Sequence, residues 1–242
     1  YYFVFYYLLS LRRYNHFKFL RKGKVMIVSI CNEKGGSGKS TLATNIVINQ
    51  GIVKGEPLLL LDTDPQKSIA TFLNIRNEEG HPKAFDFAYK YGENLKEFLQ
   101  SIDRSKDIVI DTGGRDSREM RIAIALSDIL IIPTIPSQFD VSVLDKMVNI
   151  VKMAKEQNER LQAYIVINRA STNPFLYKKI DSLKAFIEEL QEDYIRLANT
   201  IIFERERYKI ATQLGYGVVE MNDGNKAEQE IKNLCEEIFL KG

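Results

Sequence analysis

The stretch that decides the fold follows a short apolar run and reads Asn32-Glu33-Lys34-Gly35-Gly36-Ser37-Gly38-Lys39-Ser40-Thr41. Its glycines allow successive backbone N–H groups to turn inward around an anion, and a helix beginning directly afterwards presents the positive end of its dipole. In such a loop the lysine reaches the β- and γ-phosphates of a nucleotide, and the next hydroxyl completes the ligand shell of Mg²⁺. We therefore predict a phosphate-binding loop over residues 34–41, with Lys39 and Ser40 in these two roles.

Short apolar runs alternate with longer amphipathic segments along the rest of the chain. Strands are predicted at Val25–Cys31, Leu58–Asp62, near Ala84–Phe87, and at Asp107–Asp111, Ile129–Pro133, Ala163–Asn168 and Thr200–Phe203. Helices are predicted at Lys39–Ile52, from the second strand to about Asn74, and at Leu95–Ile102, Arg118–Leu126, 138–157, 176–197 and Lys226–Leu240, with Asp116 and Glu119 spaced for a capping box. This alternation predicts an α/β fold: one doubly wound, mostly parallel sheet with helices on both faces, forming a single domain over residues 26–242.

Residues 1–25 differ in composition from this domain. They contain nine of the 25 Tyr and Phe residues and six basic residues, with no acidic residue among them. One explanation is an arm that lies on a membrane surface, where aromatic and basic side chains are favoured. The other, which we favour, is an extension of the reading frame upstream of a natural start at Met26. On either explanation we expect residues 1–25 to lie outside the fold and to carry no chemistry.

The body of the chain has the composition of a cytoplasmic globular domain. Without the six basic residues of the first 25, 28 basic residues stand against 32 acidic ones, so the net charge falls from +2 to −4. Any contact with DNA must then come from a local basic patch. No apolar run is long enough to cross a bilayer, and Cys31 and Cys235 are too far apart to form a ligand motif.

The loop departs from the usual pattern at its first position, where an ordinary loop has glycine and this chain has Glu33. Instead, Lys34 precedes the double glycine and gives K-G-G-x-G-K-S. This resembles the deviant Walker A motif of the ATPase family that includes plasmid and chromosome partition ATPases, the septum-site ATPase and the nitrogenase iron protein. The resemblance implies a P-loop NTPase fold with ATP and Mg²⁺ as cofactors. It also implies a homodimer in which Lys34 reaches the partner's nucleotide, as an arginine finger does.

Further strand ends also resemble motifs of this family. The strand that ends in D-T-D-P-Q implies that Asp64 orients the attacking water and that Asp62 lies near the Mg²⁺ shell. The strand that ends at Asp111 resembles a Walker B strand whose carboxylate holds Mg²⁺ through water, and the next residues, Gly-Gly-Arg-Asp-Ser, resemble a switch of small plasmid-type partition proteins. For Asn168, a contact with adenine and a simple turn remain equally open. The predicted catalytic residues are Lys34, Lys39 and Asp64.

Features of the sequence exclude several branches of the family. The two cysteines are not placed to hold the cluster of the iron protein. The polar face of the final helix is acidic and would be repelled by anionic lipid, which argues against the septum-site branch and against a membrane partner. The tyrosine cluster lies at the wrong end of the chain for the tyrosine-kinase branch. A metabolic ATP-dependent ligase of the dethiobiotin-synthetase type is an alternative from another class, although D-x-D-P-Q argues against it.

The partition branch remains. The resemblance implies that ATP drives dimerisation, that the dimer binds DNA non-specifically, and that hydrolysis, stimulated by a centromere-binding ParB-like protein, releases the DNA. Such a protein would be cytoplasmic and associated with the nucleoid. A relative that positions a protein cargo is the second hypothesis. The candidate DNA contacts are Lys178, Lys179, Arg205, Arg207 and Lys209, with Arg118 and Arg121 beside the switch, although Glu204 and Glu206 would weaken the local positive potential.

Overall fold

The computed structural model describes residues 25–241, except for residues 93, 103–104, 137–140, 174–177 and 223. The predictions for residues 1–24 therefore lie outside the described residues. So do the first residues of the two helices predicted at 138–157 and 176–197. No helix in the described part of the chain is both long enough and apolar enough to span a bilayer.

Strands and helices alternate along the described chain. The strands are β1 (Ile27–Ile30), β2 (Leu59–Asp62), β3 (Asp86–Tyr89), β4 (Ile108–Asp111), β5 (Ile129–Thr134), β6 (Gln162–Ile167) and β7 (Ile195–Leu197). The helices are α1 (Lys39–Ile48), α2 (Ser68–Glu78), α3 (Asn94–Ser101), α4 (Arg118–Leu126), α5 (Val141–Gln157), α6 (Lys178–Leu190), α7 (Glu206–Gln213) and α8 (Lys226–Lys241). A π-helical turn, Asn49–Val53, follows α1, and a 3-10 turn, Val218–Glu220, precedes α8.

The strands form one parallel sheet in the order β3-β2-β4-β1-β5-β6-β7. Strands β2 to β4 lie on one side of β1 and strands β5 to β7 on the other, so β1 is the topological switch point. The register places Asp111 at the end of β4 beside both Ile30 of β1 and Asp62 of β2. Three strand ends are therefore level at the edge where ligands bind in open α/β sheets. The predicted doubly wound α/β fold is confirmed.

Apolar side chains of the strands alternate between two buried layers, as the pleat of a strand requires. On β5, Leu130 and Ile132 pack with residues of α4, α5 and α6, whereas Ile131 packs on the opposite face with residues of α1 and α8. Because both faces of the sheet are covered, its strands are continuous apolar runs in the sequence. This explains why most strands were predictable.

The strand predicted at Thr200–Phe203 is wrong in position. The seventh strand is Ile195–Leu197, which falls inside the helix predicted at 176–197. Helix α6 ends earlier, at Leu190, and Gln191 takes a left-handed φ of 51°, which interrupts the helix. The short strand and the loop after it therefore replace the last turns of the predicted helix.

Residues 199–203 are held partly by side chains, and Ile202 is the residue among them that keeps backbone bonds to the neighbouring segment, with its N–H donating to Ile167 at 2.9 Å and its carbonyl accepting from Ala170 at 3.0 Å. The carboxylate of Glu237 accepts hydrogen bonds from the backbone N–H groups of Asn199 and Thr200, at 2.7 and 3.0 Å. Phe203 pairs with Ala170 only through an isolated bridge. The apolar run thus looks like a strand in the sequence, but a carboxylate from α8 takes the donors that a ladder would use.

The capping box predicted at the start of α4 is also wrong. Ser117 rather than Asp116 is the cap, because its hydroxyl accepts a hydrogen bond from the N–H of Met120 at 3.1 Å. Asp116 instead receives two hydrogen bonds from the guanidinium of Arg121, at 2.7 and 2.6 Å. Glu119 accepts a hydrogen bond from the loop after β3. The start of α4 is therefore fixed by a cap and by a bidentate ion pair.

Two helices differ from the prediction for local reasons. Helix α1 ends at Ile48 and continues as the wider π-helical turn, in which Gly51 packs on Ala84: a Cβ at position 51 would lie 1.7 Å from the Ala84 carbonyl oxygen. Helix α7 was not predicted, because its sequence is mostly polar and shows no clear apolar stripe. Only Tyr208 and Ala211 of this helix are buried.

Candidate functional site

A cavity of about 880 Å³ opens at the carboxyl edge of the sheet, beside the switch point. The loop between β1 and α1 forms one side, and residues of the segment 202–213, here called the 202–213 wall, form the other. Predicted site residues that line the cavity are Gly35, Gly36, Gly38, Lys39, Ser40, Thr41, Asp64 and Asn168. Asp62, Asp111 and Ser37 are buried beneath this lining. Most predicted site residues therefore meet at one place.

The loop has a conformation that requires glycine at two positions. Gly36 and Gly38 have left-handed φ values of 72° and 86°. A Cβ at Gly38 would also lie 2.4 Å from the side-chain nitrogen of Asn168. The side chain of Asn32 supports the start of the loop by accepting a hydrogen bond from the N–H of Lys34 at 2.9 Å. The glycines thus permit a turn that leads directly into α1, with the positive end of the helix facing the cavity.

Lys39 lies at the first turn of α1, and its ammonium group donates to the carbonyl oxygen of Lys34 at 3.2 Å. Burial lowers the pKa of Lys39, while the nearby carboxylates of Asp111 and Asp64 oppose that shift. A largely buried cation that is not fully neutralised attracts an anionic group into the cavity. This side chain can therefore serve as the phosphate-binding lysine that the sequence predicts.

Beside this lysine, two carboxylates and a hydroxyl form a group with unused acceptor atoms. The hydroxyl of Ser40 donates to Oδ2 of Asp111 at 2.6 Å. Oδ1 of Asp111 and Oδ2 of Asp62 are buried and have no hydrogen-bond partner among the described residues. Burial raises the pKa of Asp111 to about 7 and that of Asp62 to about 6. A nearby divalent cation would reverse this effect and favour both carboxylates in the ionised form.

The chemistry of this group fits Mg²⁺. Within the described residues, no set of three or more His, Cys, Asp or Glu side chains could hold a metal ion by itself. Mg²⁺ commonly takes one or two carboxylate or hydroxyl ligands and completes its shell with water and substrate phosphates. Ser40 and Asp111, with Asp62 nearby, therefore suit a Mg²⁺ ion that arrives with a nucleotide.

Asp64 lies at the mouth of the cavity, in the turn after β2. Its carboxylate accepts a hydrogen bond from the N–H of Gln66 at 2.9 Å, and its own N–H donates to Asp62 at 2.8 Å. These bonds fix a carboxylate next to Gly113, where a Cβ would lie 3.6 Å from the Asp64 carboxyl group. The geometry suits a group that orients a water molecule at this end of the cavity.

The glycine pair after β4 packs directly on the phosphate-binding loop. A Cβ at Gly114 would lie 2.8 Å from the Cα of Gly35 and 3.4 Å from the ammonium of Lys39. On its other side the chain is fixed by the Ser117 cap, so conformational freedom is concentrated at Gly113 and Gly114. The pair can therefore respond to a group bound in the loop.

The residues that follow β6 contact the loop, and on this side of the cavity the sequence identified only Asn168 as a nucleotide-binding candidate. Asn168 is buried and donates from its amide to the carbonyl oxygen of Ser37 at 2.6 Å, so it contacts the loop itself. The next residue, Arg169, also contacts the loop, and Phe203 and Tyr208 line the 202–213 wall. The sequence did offer one signal for Arg169: it directly follows a predicted strand, and residues at that end of a parallel strand lie at the ligand edge of the sheet.

Several of the basic residues predicted to bind DNA form ion pairs within the protein. Arg205 is ion-paired with Glu230, with a hydrogen bond of 2.8 Å from its Nε, and its side chain is only 22% exposed. Lys209 forms an exposed ion pair with Glu206 at 2.9 Å. Lys178 and Lys179 open α6, and their side chains lie outside the described residues. Arg121, beside the switch, is held by Asp116.

Comparison with known proteins identifies the family. Residues 28–215 match the family described as the CobQ/CobB/MinD/ParA nucleotide binding domain. The chain belongs to this family. The predicted resemblance to ParA and MinD proteins is therefore confirmed, and the cavity is that of a nucleotide-binding domain.

Relatives of this ParA/MinD-family chain include the protein ParA of Rhizobium radiobacter, which is 24% identical over 204 residues and is matched over 83% of this chain and 89% of its own length. Maintenance of carboxysome distribution protein A of Halothiobacillus neapolitanus is 22% identical over 224 residues, which are 91% of this chain and 99% of that protein. Partition and carboxysome-distribution proteins are thus both among the relatives.

Solved structures of the family share the fold. The plasmid partition protein of Borrelia burgdorferi B31 bound to AMPPNP has a TM-score of 0.68 at 24% identity, over 90% of this chain and 99% of that one. The septum site-determining protein MinD of Pyrococcus horikoshii in complex with Mg-ADP has a TM-score of 0.66 at 19% identity, over 90% and 98%. These likenesses confirm the predicted P-loop NTPase architecture.

Proposed function

We propose that this protein is a partition-type ATPase that binds ATP with Mg²⁺, dimerises, binds DNA non-specifically and releases it on hydrolysis. The observation that carries the proposal is the convergence of Lys39, Asp64 and the Ser40–Asp111 pair at one end of the cavity. The loop begins with a second lysine, Lys34. By the resemblance, this lysine reaches the nucleotide of the partner subunit in a dimer.

In this proposal the residues of the chain divide the work of hydrolysis. Lys39 and the backbone N–H groups of the loop hold the phosphates and stabilise negative charge as the γ-phosphoryl group leaves. Asp64 orients the attacking water from its fixed position after β2. Ser40 and Asp111 would hold Mg²⁺, with Asp62 beside them, and the ion would neutralise charge on the phosphate oxygens. The Gly113–Gly114 pair would sense whether the γ-phosphate is present.

Lys34 has its role at the subunit interface in this proposal. Its carbonyl oxygen is tied to Lys39 within the same loop, while its side chain does not line the cavity. In an ATP-bound homodimer its ammonium would reach the partner's nucleotide and supply positive charge in trans. Dimerisation would then depend on bound ATP.

DNA would bind to basic side chains of the dimer in the nucleoid region of the cytoplasm. Arg207, Lys209, Lys178 and Lys179 remain candidates, whereas the paired and half-buried Arg205 is better suited to supporting the 202–213 wall. A centromere-binding ParB-like protein is the proposed partner that stimulates hydrolysis. The candidate alternative is the positioning of a protein cargo, which is favoured by the relatives named for carboxysome distribution.

The decisive test is DNA binding by the full chain with ATP, ADP or no nucleotide, at low and moderate salt. We expect binding only with ATP and a steep loss of affinity with salt, because Lys and Arg contacts to phosphates release counterions. Lys39→Ala is the matched control and should not bind under any condition. ATP hydrolysis without DNA binding in any state would reject the partition function and favour a protein cargo or a small-molecule substrate.

Asp64→Ala tests the proposed hydrolytic step. This variant should keep its affinity for ATP, accumulate as an ATP-bound dimer, and lose turnover by about a hundredfold or more, because the attacking water is no longer oriented. Turnover and size-exclusion chromatography with ATP measure the two effects. Wild-type turnover in this variant would remove Asp64 from the mechanism.

A further inference from the structure

Two neighbouring carbonyl groups of the phosphate-binding loop are held by the residues that follow β6. The guanidinium of Arg169 donates from Nη1 to the carbonyl oxygen of Gly36 at 2.9 Å. The amide of Asn168 donates to the carbonyl oxygen of Ser37 at 2.6 Å. The loop is thus attached, at two consecutive peptide groups, to a strand far away in the sequence.

Peptide planarity converts these contacts into an orientation of the loop's donors. In a trans peptide the C=O group and the following N–H group point in opposite directions. Fixing the carbonyl groups of Gly36 and Ser37 toward residues 168–169 therefore turns the N–H groups of Ser37 and Gly38 away from them. Neither N–H group donates to another of the described residues. Both remain available for an anion in the loop.

Arg169 is itself held in place from two sides. Its backbone has a left-handed φ of 52°, which is unfavourable for a residue with a side chain and is found in functional sites. Its second terminal nitrogen donates to the carboxylate of Glu204 at 2.7 Å. The backbone N–H of Glu204 in turn donates to the carbonyl oxygen of Ala170 at 2.8 Å. The guanidinium therefore connects the 202–213 wall to the phosphate-binding loop.

The exposure of this ion pair argues against a purely structural role. The side chains of Arg169 and Glu204 are 42% and 49% exposed, and ion pairs in such positions contribute little to folding stability. A guanidinium kept in a strained backbone position for little gain in stability is better explained by what it does to the loop.

We propose that Arg169 is a positioning residue for the phosphate-binding loop, with Glu204 as its support. Arg169 holds the Gly36 carbonyl outward, so that the N–H of Ser37 is aimed at a nucleotide phosphate before the nucleotide binds. The inference rests on the proposed function, because it requires nucleotide phosphates in this loop.

The test compares a complete ligand with its phosphate part alone. Dissociation constants for ADP and for inorganic tripolyphosphate are measured on the full chain by competition with a fluorescent ADP analogue. Arg169→Ala should weaken both ligands by the same factor, about tenfold, as expected for loss of one charge-assisted contact that orients the site. The dissociation constants of Arg169→Lys and Glu204→Gln for both ligands should lie between those of Arg169→Ala and those of the wild type.

The matched control is Arg160→Ala. Arg160 also forms an exposed ion pair, with Asp128 at 3.6 Å, but at the opposite edge of the sheet. Its removal should leave both affinities unchanged while costing a similar, small amount of thermal stability. If Arg169→Ala does not fold, the same comparison is decided by Arg169→Lys and Glu204→Gln, which keep most of the side chain.

Several outcomes would overturn the inference. A loss of ADP affinity with unchanged tripolyphosphate affinity would place the action of Arg169 on the nucleoside, not on the loop. Unchanged affinities for both ligands would show that the loop needs no such support. Failure of the wild-type protein to bind either ligand would reject the proposed function together with the inference, whereas normal wild-type binding with unaffected variants would reject the inference alone.

Discussion

The two sides of the nucleotide cavity are built in different ways. On the phosphate side, the functional groups come from consecutive residues, 34–41, and from the ends of adjacent strands whose register places Asp62 beside Asp111. On the other side, the 202–213 wall is held by a carboxylate of α8, that of Glu230, which lies more than twenty residues further along the chain. The first side is determined by local sequence and by the topology of a parallel sheet, whereas the second depends on long-range side-chain contacts.

Glu230 is the centre of the second arrangement. Its carboxylate accepts hydrogen bonds from the Nε of Arg205 at 2.8 Å, from the N–H of Phe203 at 3.3 Å and from the hydroxyl of Tyr208 at 3.4 Å. Burial and the adjacent Glu230 carboxylate raise the pKa of Tyr208, which keeps the phenol neutral as a donor. One carboxylate thus organises three residues that line the cavity.

The largest expected effect concerns the phosphate side. Lys39→Ala should weaken ATP binding by at least about a hundredfold, because it removes a largely buried cation from the position of the β- and γ-phosphates. Isothermal titration calorimetry on wild type and variant measures the loss, and Lys54→Ala, which removes an ion pair with Glu236 outside the cavity lining, serves as a control. Unchanged affinity would mean that the local motif does not define the binding site.

The contrast between the two sides also explains what the sequence could predict. The loop, the strand ends at Asp62 and Asp111, and the order of strands and helices follow from short-range patterns, because glycine geometry and strand burial act within a few residues. The 202–213 wall and the residues directly before it could not be predicted. A carboxylate of α8 takes the backbone donors of Asn199 and Thr200, so a strand-like run became a loop, and the polar sequence of α7 hides a helix with two buried residues.

The site itself shows the same limit at a finer scale. The sequence indicated that Asn168 lies at the ligand edge, but it left a contact with adenine and a simple turn open. The contact of its amide with the carbonyl of Ser37 depends on the close approach of two loops that are 131 residues apart. No local pattern encodes such an approach. The glycine at position 38 is consistent with it, because a Cβ there would lie 2.4 Å from the side-chain nitrogen of Asn168.

The next effect is a pH dependence that belongs to the phosphate side. Burial raises the pKa of Asp111 to about 7, above its value in the unfolded chain, so the folded state binds this proton more tightly. Its contribution to stability is therefore greatest below about pH 4 and is lost as pH rises towards 7. Without Mg²⁺ and nucleotide, the free energy of unfolding should fall by about 2 kcal/mol between pH 5 and pH 7.

Urea unfolding at several pH values checks this prediction. Asp111→Asn should reduce the slope between pH 5 and pH 7, since the amide does not titrate, while Asp86→Asn, which removes an exposed carboxylate at the other edge of the sheet, should leave the slope in place. A wild-type slope that Asp111→Asn does not change would show that other groups dominate the titration.

A smaller effect is expected at the Gly113–Gly114 pair. Gly114→Ala should lower ATP turnover by about tenfold, because its Cβ would lie 2.8 Å from the Cα of Gly35 and would force the switch away from the loop. Gly113→Ala is the comparison within the pair and should lower turnover less, since the nearest atoms to its Cβ, in the Asp64 carboxyl group, lie at 3.6 Å, an ordinary contact. Equal turnover in the two variants would contradict close packing of the switch on the loop.

The smallest effect is expected on the 202–213 wall, and it separates the two sides most directly. Glu230→Gln keeps the shape of the side chain but removes the charge that Arg205 pairs with, so the free energy of unfolding should fall by about 1 kcal/mol. Glu236→Gln, whose carboxylate is 53% exposed and lies 3.8 Å from Lys54, should change stability by less than about 0.5 kcal/mol. We expect Phe203, Arg205 and Tyr208, which Glu230 holds, to face the nucleoside, so ADP affinity should weaken in Glu230→Gln while tripolyphosphate affinity stays the same. If both ligands weaken together, the two sides are coupled, and the separation between a locally encoded phosphate site and a remotely supported wall does not hold.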